Sequence, residues 1–294
     1  MKAPRTRHVA RGTRHLCAII LTLAATRAQA SPPQRIVSLI PSVTEMLFAI
    51  GEGKRVVGVS NYDEYPPEVK HLPRAGGLLD PNVERLLSLK PDLVIVYQTQ
   101  NELKQRLDRA SIPYYSYEHR ALADITVTLR AIGKRIESPA RAEALAADME
   151  RSIAAIRASV AGVPHPRTLM VFEREPASLR NITASGGYGF LHDMLEAAGG
   201  VNVFADIKQQ AVTASTEMIL GRRPDVIVEL KYGTSTTTDL ARDLQAWNAL
   251  ASVPAVRNKR IHALKGDQFV VPGPRVVAAT KEIARTLHPG APIK

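Results

Sequence analysis

The stretch NVERLLSLKPDLVIV, residues 82–96, decides the fold, because its pattern returns as STEMILGRRPDVIVEL, residues 215–230. Each copy predicts a short amphipathic helix, a turn that contains Pro-Asp, and a buried strand. In both copies a glutamate, Glu84 or Glu217, stands seven residues before the proline. Two such segments at matching offsets predict two related α/β halves.

A second pair of motifs supports this duplication. TEMLFAIG (44–51) reappears as HDMLEAAG (192–199), with an acidic residue, Met-Leu, and a glycine six residues after the acid. The aliphatic runs around these motifs predict strands that alternate with helices, which indicates mostly parallel sheets. Ser42 is expected to cap the first helix, and Glu45 to complete a capping box. We therefore expect one α/β unit built twice.

One long helix is predicted to join the two halves. The segment ARAEALAADMERSIAAIRASVAG (140–162) is rich in alanine and predicts a helix of roughly 22 residues, about 33 Å long. The predicted division is an N-terminal α/β lobe over residues 31–120, a connecting helical segment over 121–163 and a C-terminal α/β lobe over 164–294.

Residues 1–30 have the order of a cleavable signal peptide. MKAPRTRHVARGTRH is basic, LCAIILTLAAT is a short apolar run, and AQA (28–30) ends the segment. This order predicts export to the periplasm, with cleavage after Ala30. The only cysteine, Cys17, lies inside this segment, too early in the apolar run for a lipoprotein site.

The charge of the chain does not indicate a nucleic-acid partner. The formal net charge is +11. Residues 1–30 hold six basic residues and no acidic ones, so the mature chain carries about +5. This excess is spread without dense basic clusters or interleaved aromatic residues, and we therefore expect no binding to nucleic acid.

The sequence gives little support to an enzyme. There is no GxSxG nucleophile motif, and SGGYG (185–189) lacks the lysine of a phosphate-binding loop. Glu118 and His119 are adjacent at a strand end and so point to opposite sides. We predict no catalytic residue, no metal site and no resident cofactor. The histidines of the mature chain show no paired metal-ligand spacing: His71, His119, His165, His192, His262 and His288.

Four ordered motifs resemble the periplasmic substrate-binding proteins of ABC importers for cobalamin, ferric siderophores and heme, the class with a rigid helix between its lobes. The resemblance covers residues 34–290 and is closest to the cobalamin-binding branch. It implies two Rossmann-like lobes joined by one long α-helix, with the ligand in the cleft between them. The motifs are IVSLIPSVTEMLFAIG (36–51), NVERLLSLKPDLVIV (82–96), GFLHDMLEAAGGVNVF (189–204) and WNALASVPAVRNKRIHAL (247–264).

The resemblance also gives the repeated glutamates a function. In this family an acidic residue on each lobe docks to arginines of the transporter's membrane subunits, and the matching positions here are Glu84 and Glu217. Two equivalent carboxylates suit a permease dimer with two-fold symmetry. Each glutamate has a structural explanation as well, because a carboxylate in the first helical turn stabilises the helix dipole. We expect the chain itself to be a monomer.

Loops that follow the strands should line the cleft. Tyr62 lies in NYDEYPPEV (61–69), which resembles the matching loop of the cobalamin-binding branch, and its ring would offer a macrocycle a flat face. Cobalamin binders often place tryptophans in the cleft, but the only tryptophan here, Trp247, is expected in the core. The predicted ligand-binding residues are Ser42, Tyr62, Leu78, Tyr97, Tyr188, Gln268 and Phe269.

The predicted ligand is cobalamin or a related corrinoid, captured in the cleft and delivered to an ABC-type importer. A heme carrier would use an exposed tyrosine as the axial iron ligand, for which Tyr62, Tyr97 and Tyr188 are candidates. A ferric-siderophore carrier would need arginines that converge on anionic groups. The candidates for that role are Arg174, Arg180 and Arg275. An exported sensor with the same cleft is a further alternative, and an enzyme is the last.

Overall fold

The computed structural model describes residues 1–2, 31–232 and 237–293. The predicted signal peptide therefore lies almost entirely outside the described residues. The residues from Pro32 to Lys294 form a compact unit by themselves, and this unit contains both predicted halves. Within residues 31–232 and 237–293, no helix is long and apolar enough to cross a membrane.

The N-terminal lobe (lobe one) is built on a four-stranded sheet with parallel pairing throughout, in the order β2-β1-β3-β4. Its core strands are aliphatic and fully buried, as expected for a parallel sheet covered by helices on both faces. The strands are β1 (Ile36–Ser38), β2 (Val56–Val59), β3 (Leu93–Tyr97) and β4 (Tyr114–Tyr117). The helices are α1 (Pro41–Ala49), α2 (Val83–Ser88) and α3 (Asn101–Arg109), with 3₁₀ turns at Gly53–Arg55 and Pro67–His71.

The connecting segment consists of α4 (Ala123–Arg135) and α5 (Pro139–Val160). The predicted long helix is confirmed: α5 has 22 residues and starts with a proline, which suits the first helical position. Glycine at position 133 lets the two helices pack closely, because a Cβ there would lie 2.2 Å from the Cβ of Ala142. The buried residues of α5 recur every three or four positions on one face: Ala142, Ala146, Met149, Ile153, Ile156 and Val160.

The C-terminal lobe (lobe two) is built on a six-stranded sheet in the order β10-β9-β5-β6-β8, with β7 also paired to β5. The pairings of β6 are antiparallel and the others are parallel, so the predicted mostly parallel sheet is confirmed. The strands are β5 (Arg167–Glu173), β6 (Ile182–Ser185), β7 (Val201–Asn202), β8 (Ala211–Ala214), β9 (Val226–Lys231) and β10 (Ile261–Lys265). The helices are α6 (Phe190–Ala197), α7 (Thr216–Arg222), α8 (Thr237–Leu244), α9 (Pro254–Arg257) and α10 (Val276–Leu287), with 3₁₀ turns at Gln245–Leu250 and Asp267–Phe269.

The repeated Pro-Asp turn performs the same structural task in both lobes. The Asp92 carboxylate accepts a hydrogen bond of 2.8 Å from the backbone N–H of Arg35, just before β1. The Asp225 carboxylate accepts one of 3.1 Å from the backbone N–H of Arg167, at the start of β5. Both arginine side chains donate back to a backbone carbonyl at the end of the preceding helix, α2 or α7. The turn thus fixes the starts of two neighbouring strands beside each other.

A single hydrophobic cluster runs through both lobes and the connecting helices. It joins residues of α1, α4, α5, α6 and α10, so the two lobes share one core at their base. Smaller clusters cover the remaining face of each sheet. Trp247 is fully buried in the cluster of lobe two, which confirms its predicted core position. The predicted boundaries after residues 120 and 163 fall in loops between elements.

The predicted capping box at α1 is wrong. The helix begins at Pro41, with Ile40 at the N-cap, and no side chain caps it. Proline fits the first helical position because it has no N–H that needs a partner. Ser42 is therefore already inside the first turn, and the Glu45 side chain forms an ion pair with Arg275 of lobe two.

Candidate ligand cleft and docking surface

The carboxyl ends of the strands in the two lobes meet, and open α/β sheets bind ligands at this edge. The ring of His119, just after β4, has its centroid 5.7 Å from that of Phe190, the first residue of α6. The Asp193 carboxylate in α6 accepts a hydrogen bond of 2.8 Å from the backbone N–H of Leu122. The floor of an inter-lobe cleft is therefore formed by the end of β4 and the start of α6.

An aromatic cluster lines this floor. Tyr117 and His119 are stacked, with ring centroids 5.6 Å apart and planes 28° apart. Tyr97 meets Tyr117 edge-on at 5.9 Å, and Phe190 completes the cluster from lobe two. Sequence reasoning missed Tyr117 and Phe190 because the cluster combines residues from two lobes. The only signal in the sequence was the aromatic run YYSYEH (114–119) at the end of a strand.

Two polar atoms of this floor are buried without a hydrogen-bond partner among the described residues: the His119 Nδ1 and the Tyr117 hydroxyl. The hydroxyl lies near Ser42 but outside hydrogen-bonding geometry. Burial lowers the pKa of His119, although Asp124 and Glu118 act in the opposite sense, and burial raises the pKa of Tyr117. Burial thus favours the neutral form of both groups.

Three predicted residues of lobe one come together at the wall of the cleft. Tyr62 and Leu78 are exposed, by 67% and 41%, and Tyr97 is half-buried. Gln100 joins two of the loops, because its amide donates to the Leu78 carbonyl at 3.0 Å and accepts from the Tyr97 N–H at 2.8 Å. The Tyr62 ring packs over Gly77, where a Cβ would lie 2.5 Å from the ring. Gln100, which sequence reasoning missed, thus positions this wall.

The facing wall in lobe two contains a cavity of about 420 Å³. Tyr188, a predicted ligand residue, and Tyr232 both line it, with 40% and 55% exposure. The cavity shares Phe190 with the aromatic floor, so the two surfaces are continuous. Its other lining residues are Phe172, Glu173, Gly189, Leu191, Gln210, Ala211 and Val270.

The remaining predicted ligand residues are less accessible. Ser42 is 2% exposed, because the first turn of α1 points it inward toward Tyr117. Phe269 is fully buried, because its 3₁₀ turn packs against α10. Neither side chain lies at the cleft surface. Gln268 is half-buried and folds back over Gly266, where a Cβ would lie 2.1 Å from its amide oxygen.

Arg174 is unavailable to an anionic ligand, contrary to the expectation from the sequence. Its side chain is fully buried, and its guanidinium lies 2.7 Å from Glu229 and 2.8 Å from Asp243. Trp247 also donates from Nε1 to Glu229, at 2.5 Å. A buried guanidinium requires such partners, because an unpaired charge in the interior is strongly destabilising. Of the three arginines considered, Arg180 is the exposed one.

Arg275 joins the two lobes at the side of the cleft. It forms ion pairs with Glu45 of α1 and with Asp267, the latter at 2.8 Å, and it lies 4.1 Å from the centroid of the Tyr65 ring. Burial raises the pKa of Glu45, and the hydrogen bond from Arg275 opposes that shift. We call Glu45, Tyr65, Asp267 and Arg275 the inter-lobe clasp. The clasp ties lobe one to the start of α10.

The two predicted docking glutamates have the same local structure. Glu84 lies in the first turn of α2, where the Asn82 side chain caps the helix by accepting from a backbone N–H. Glu217 lies in the first turn of α7, where Ser215 does the same. Both glutamates are exposed, and a hydrogen bond with Ser215 lowers the pKa of Glu217. Neither takes part in an ion pair in the part of the chain that the structure describes.

Topology puts both glutamates at the cleft edge of their sheets. Helix α2 leads into β3 and α7 leads into β9, and both strands are central and parallel to a neighbour. A helix that leads back to the start of a parallel strand begins at the carboxyl edge of the sheet. Glu84 and Glu217 therefore lie at the edges from which the cleft loops also emerge.

A larger cavity, about 800 Å³, lies elsewhere. It is lined by residues just before β5, β9 and β10, at the amino ends of the strands, together with the segment after α10. It is thus at the opposite edge from the one where α/β sheets bind ligands. In residues 31–232 and 237–293, no group of three or more His, Cys, Asp or Glu side chains could hold a metal ion.

Two α/β lobes, a helical connection and an open cleft at the strand ends define a two-lobed solute-binding protein. The chain belongs to the periplasmic binding protein family, whose family model matches residues 36–268. This confirms the resemblance drawn from the four motifs.

Several relatives resemble the chain over nearly its whole length. It is 31% identical to the vitamin B12-binding protein of Salmonella typhimurium over 277 residues, which is 93% of this chain and 96% of that protein. The crystal structure of the periplasmic vitamin B12 binding protein of Vibrio cholerae is similar with 27% identity and a TM-score of 0.73, covering 87% of this chain and 97% of that one. A periplasmic heme-binding protein from a Roseiflexus species has 29% identity and a TM-score of 0.72, covering 86% and 97%.

Proposed function

We propose that this chain captures cobalamin or a related corrinoid in the inter-lobe cleft and delivers it to an ABC-type importer. The similarity to a vitamin B12-binding protein over 93% of the chain carries the proposal. The cleft supports it with exposed aromatic faces on both sides, Tyr62 in lobe one and Tyr188 and Tyr232 in lobe two. Because Arg174 and Arg275 are held in ion pairs, the cleft suits a macrocycle with neutral amide groups better than a polyanion.

The proposal includes the route and the partner of the chain. Removal of residues 1–30 would release a periplasmic monomer that carries its ligand without a resident cofactor and without turning it over. Glu84 and Glu217 would then dock to the permease dimer of the importer. Recovery of chemically unchanged ligand from the protein after prolonged incubation tests the carrier role, and a converted product would indicate an enzyme.

Calorimetric titration of residues 31–294 with cyanocobalamin tests the ligand. We expect one-to-one binding at micromolar affinity or tighter, about −8 kcal/mol or better. Tyr62→Ala should weaken binding by about tenfold, since an aromatic contact contributes about 1 kcal/mol beyond its buried area. Val127→Ala is the control, because Val127 is 60% exposed on α4 and is not among the residues of the cleft floor or walls described above. Absence of binding would refute the corrinoid assignment.

Heme is the second candidate, and a specific observation favours it. Tyr97 and His119 lie at the cleft floor, and both residue types are axial ligands of heme iron. The 29% identity to a heme-binding protein adds support. Titration with hemin, read by its visible spectrum, tests this alternative, and loss of the spectral shift in Tyr97→Phe or His119→Gln would identify the ligand. A ferric siderophore is less well supported, because Arg174 is buried in ion pairs.

A further inference from the structure

The two docking helices share a second surface feature besides the glutamate. Each helix carries a leucine three residues after it, Leu87 in α2 and Leu220 in α7. Both leucines are exposed to the same extent, 39%. Residues three apart on a helix lie on the same face, so each leucine stands beside its glutamate.

The rest of each helix explains why these leucines face outward. The residue between the pair is the anchor of the helix: Leu86 is fully buried in lobe one and Ile219 is 1% exposed in lobe two. The following leucine turns away from that anchor and is not needed for the core. A single exposed leucine would be ordinary. Two exposed leucines at equivalent places, each beside an equivalent carboxylate, indicate that the same surface is present on both lobes.

The neighbouring positions show that this match is selective. Arg85 and Met218 stand at one equivalent position of the two helices, and Ser88 and Gly221 at another. These pairs differ in charge, size and polarity, whereas the glutamate and the exposed leucine are the same in both helices. The shared features are those that a partner with two equivalent faces would contact.

We propose that Leu87 and Leu220 form the apolar part of the docking surface for the permease dimer, each by packing against the aliphatic stem of an arginine whose guanidinium binds the adjacent glutamate. This inference rests on the proposed docking of Glu84 and Glu217. An arginine fits both groups, because its three methylenes cover apolar surface while its head stays with the carboxylate. A lysine would meet the carboxylate at one point only, without the paired hydrogen bonds of a guanidinium.

The glutamate carboxylates and the leucine side chains should act on different steps of docking. Carboxylates attract a basic partner from a distance and so set the association rate and its dependence on salt. Apolar packing forms only in the final complex and therefore sets the dissociation rate. In lobe one, Leu79 is 94% exposed and lines the same hollow as Glu84.

The test measures binding of the full mature chain to its cognate importer, a permease–ATPase complex reconstituted in nanodiscs. We expect Leu87→Ala/Leu220→Ala to raise the dissociation rate about tenfold, since two partly exposed leucines lose their burial. Its association rate and its affinity for cyanocobalamin should stay unchanged. Leu87→Met/Leu220→Met should retain slow dissociation, because methionine preserves the apolar volume. Unchanged dissociation in the alanine variant would overturn the inference.

A parallel variant separates this inference from the docking proposal itself. Glu84→Gln/Glu217→Gln should slow association and flatten its salt dependence. If the glutamine variant behaves as expected and the alanine variant matches the wild type, only the role of the leucines is wrong. If the glutamine variant binds as the wild type does, the docking proposal fails as well. Thermal unfolding of each variant verifies that these exposed changes leave the fold intact.

Discussion

In lobe one, the strand after the repeated Pro-Asp turn carries Val96 four residues beyond the aspartate, and in lobe two the same position carries Glu229. Both side chains are fully buried. Val96 belongs to an aliphatic cluster, whereas Glu229 lies in an ion-pair network with Arg174. One backbone unit thus supports two different interiors at its cleft edge.

The features that the lobes share are of another kind. The Pro-Asp turn, the capped helix and the exposed glutamate are the same in both halves. A symmetric partner requires equivalent outer surfaces, whereas an asymmetric ligand is bound by walls that differ. The proposed docking therefore uses what the lobes share, and the proposed ligand recognition uses where they diverge.

Changing the buried residues that differ between the two lobes should have the largest effect on the free energy of unfolding. Val96→Glu places a charge in an aliphatic cluster, and Glu229→Ala leaves Arg174 without its main partner. Each should lower the free energy of unfolding by about 3–5 kcal/mol. Replacing both Arg174 and Glu229 by methionine should recover part of the loss. Denaturant unfolding at pH 7 measures all three variants, and a small loss for Val96→Glu would show that lobe one accepts a buried charge.

Breaking the inter-lobe clasp should have an intermediate effect. Arg275→Ala leaves Glu45 buried without its partner and should reduce the free energy of unfolding by about 2–3 kcal/mol, less than a fully buried pair because Arg275 is partly exposed. Arg275→Lys should recover some of this stability, because the lysine ammonium still places a positive charge beside Glu45. Arg285→Ala, an exposed arginine later in α10, serves as the control. An Arg275→Ala variant as stable as the control would show that the clasp is dispensable.

The aromatic wall of lobe one should affect the ligand more than the fold. Tyr97→Ala should weaken cyanocobalamin binding by about tenfold. Tyr97→Phe should bind nearly as well, since the ring face makes the proposed contact. Calorimetric titration of both variants separates the ring from the hydroxyl. If the phenylalanine variant loses as much affinity as the alanine variant, the hydroxyl rather than the ring contacts the ligand.

The smallest expected effect is a pH dependence at the cleft floor. Burial lowers the pKa of His119 in the folded chain. Between that lowered pKa and the ordinary pKa of about 6.5, the unfolded chain therefore binds more protons than the folded chain. Stability contributed by neutral His119 is therefore present above that ordinary value and is lost as the pH falls below it. The fall in thermal midpoint from pH 7.5 to 5.5 should be smaller in His119→Gln than in the wild type.

His71→Gln is the control for that series, because His71 is exposed. His262 and His288 also have a lowered pKa, and both contribute equally to the wild type and the variant. An equal fall in all three proteins would mean that His119 is not titrating against the fold.

Local patterns sufficed to predict much of this structure. The aliphatic runs after the two Pro-Asp turns predicted the buried strands β3 and β9, and the alanine-rich run predicted α5. These elements depend on periodicity and composition within one segment. The family and its two-lobed fold followed from ordered motifs, and the matching of residues 36–268 confirms the family.

Long-range partners were the part that no local pattern contained. Glu45 looked like a capping residue, but it pairs with Arg275, 230 positions away. Arg174 looked available to a ligand, but its partner Glu229 approaches from a different strand. The antiparallel strand β6 and the contact of His119 with Phe190 also depend on tertiary packing. Burial and pairing decide the role of a charged residue, and neither is visible in sequence spacing.

The separation of docking from ligand binding is tested most directly by Glu84→Arg/Glu217→Arg, measured both for cyanocobalamin affinity and for uptake by cells. The account predicts that uptake is abolished while affinity stays within about twofold of the wild type, because the exposed glutamates and the cleft walls act independently. Normal uptake by the double variant would contradict the account.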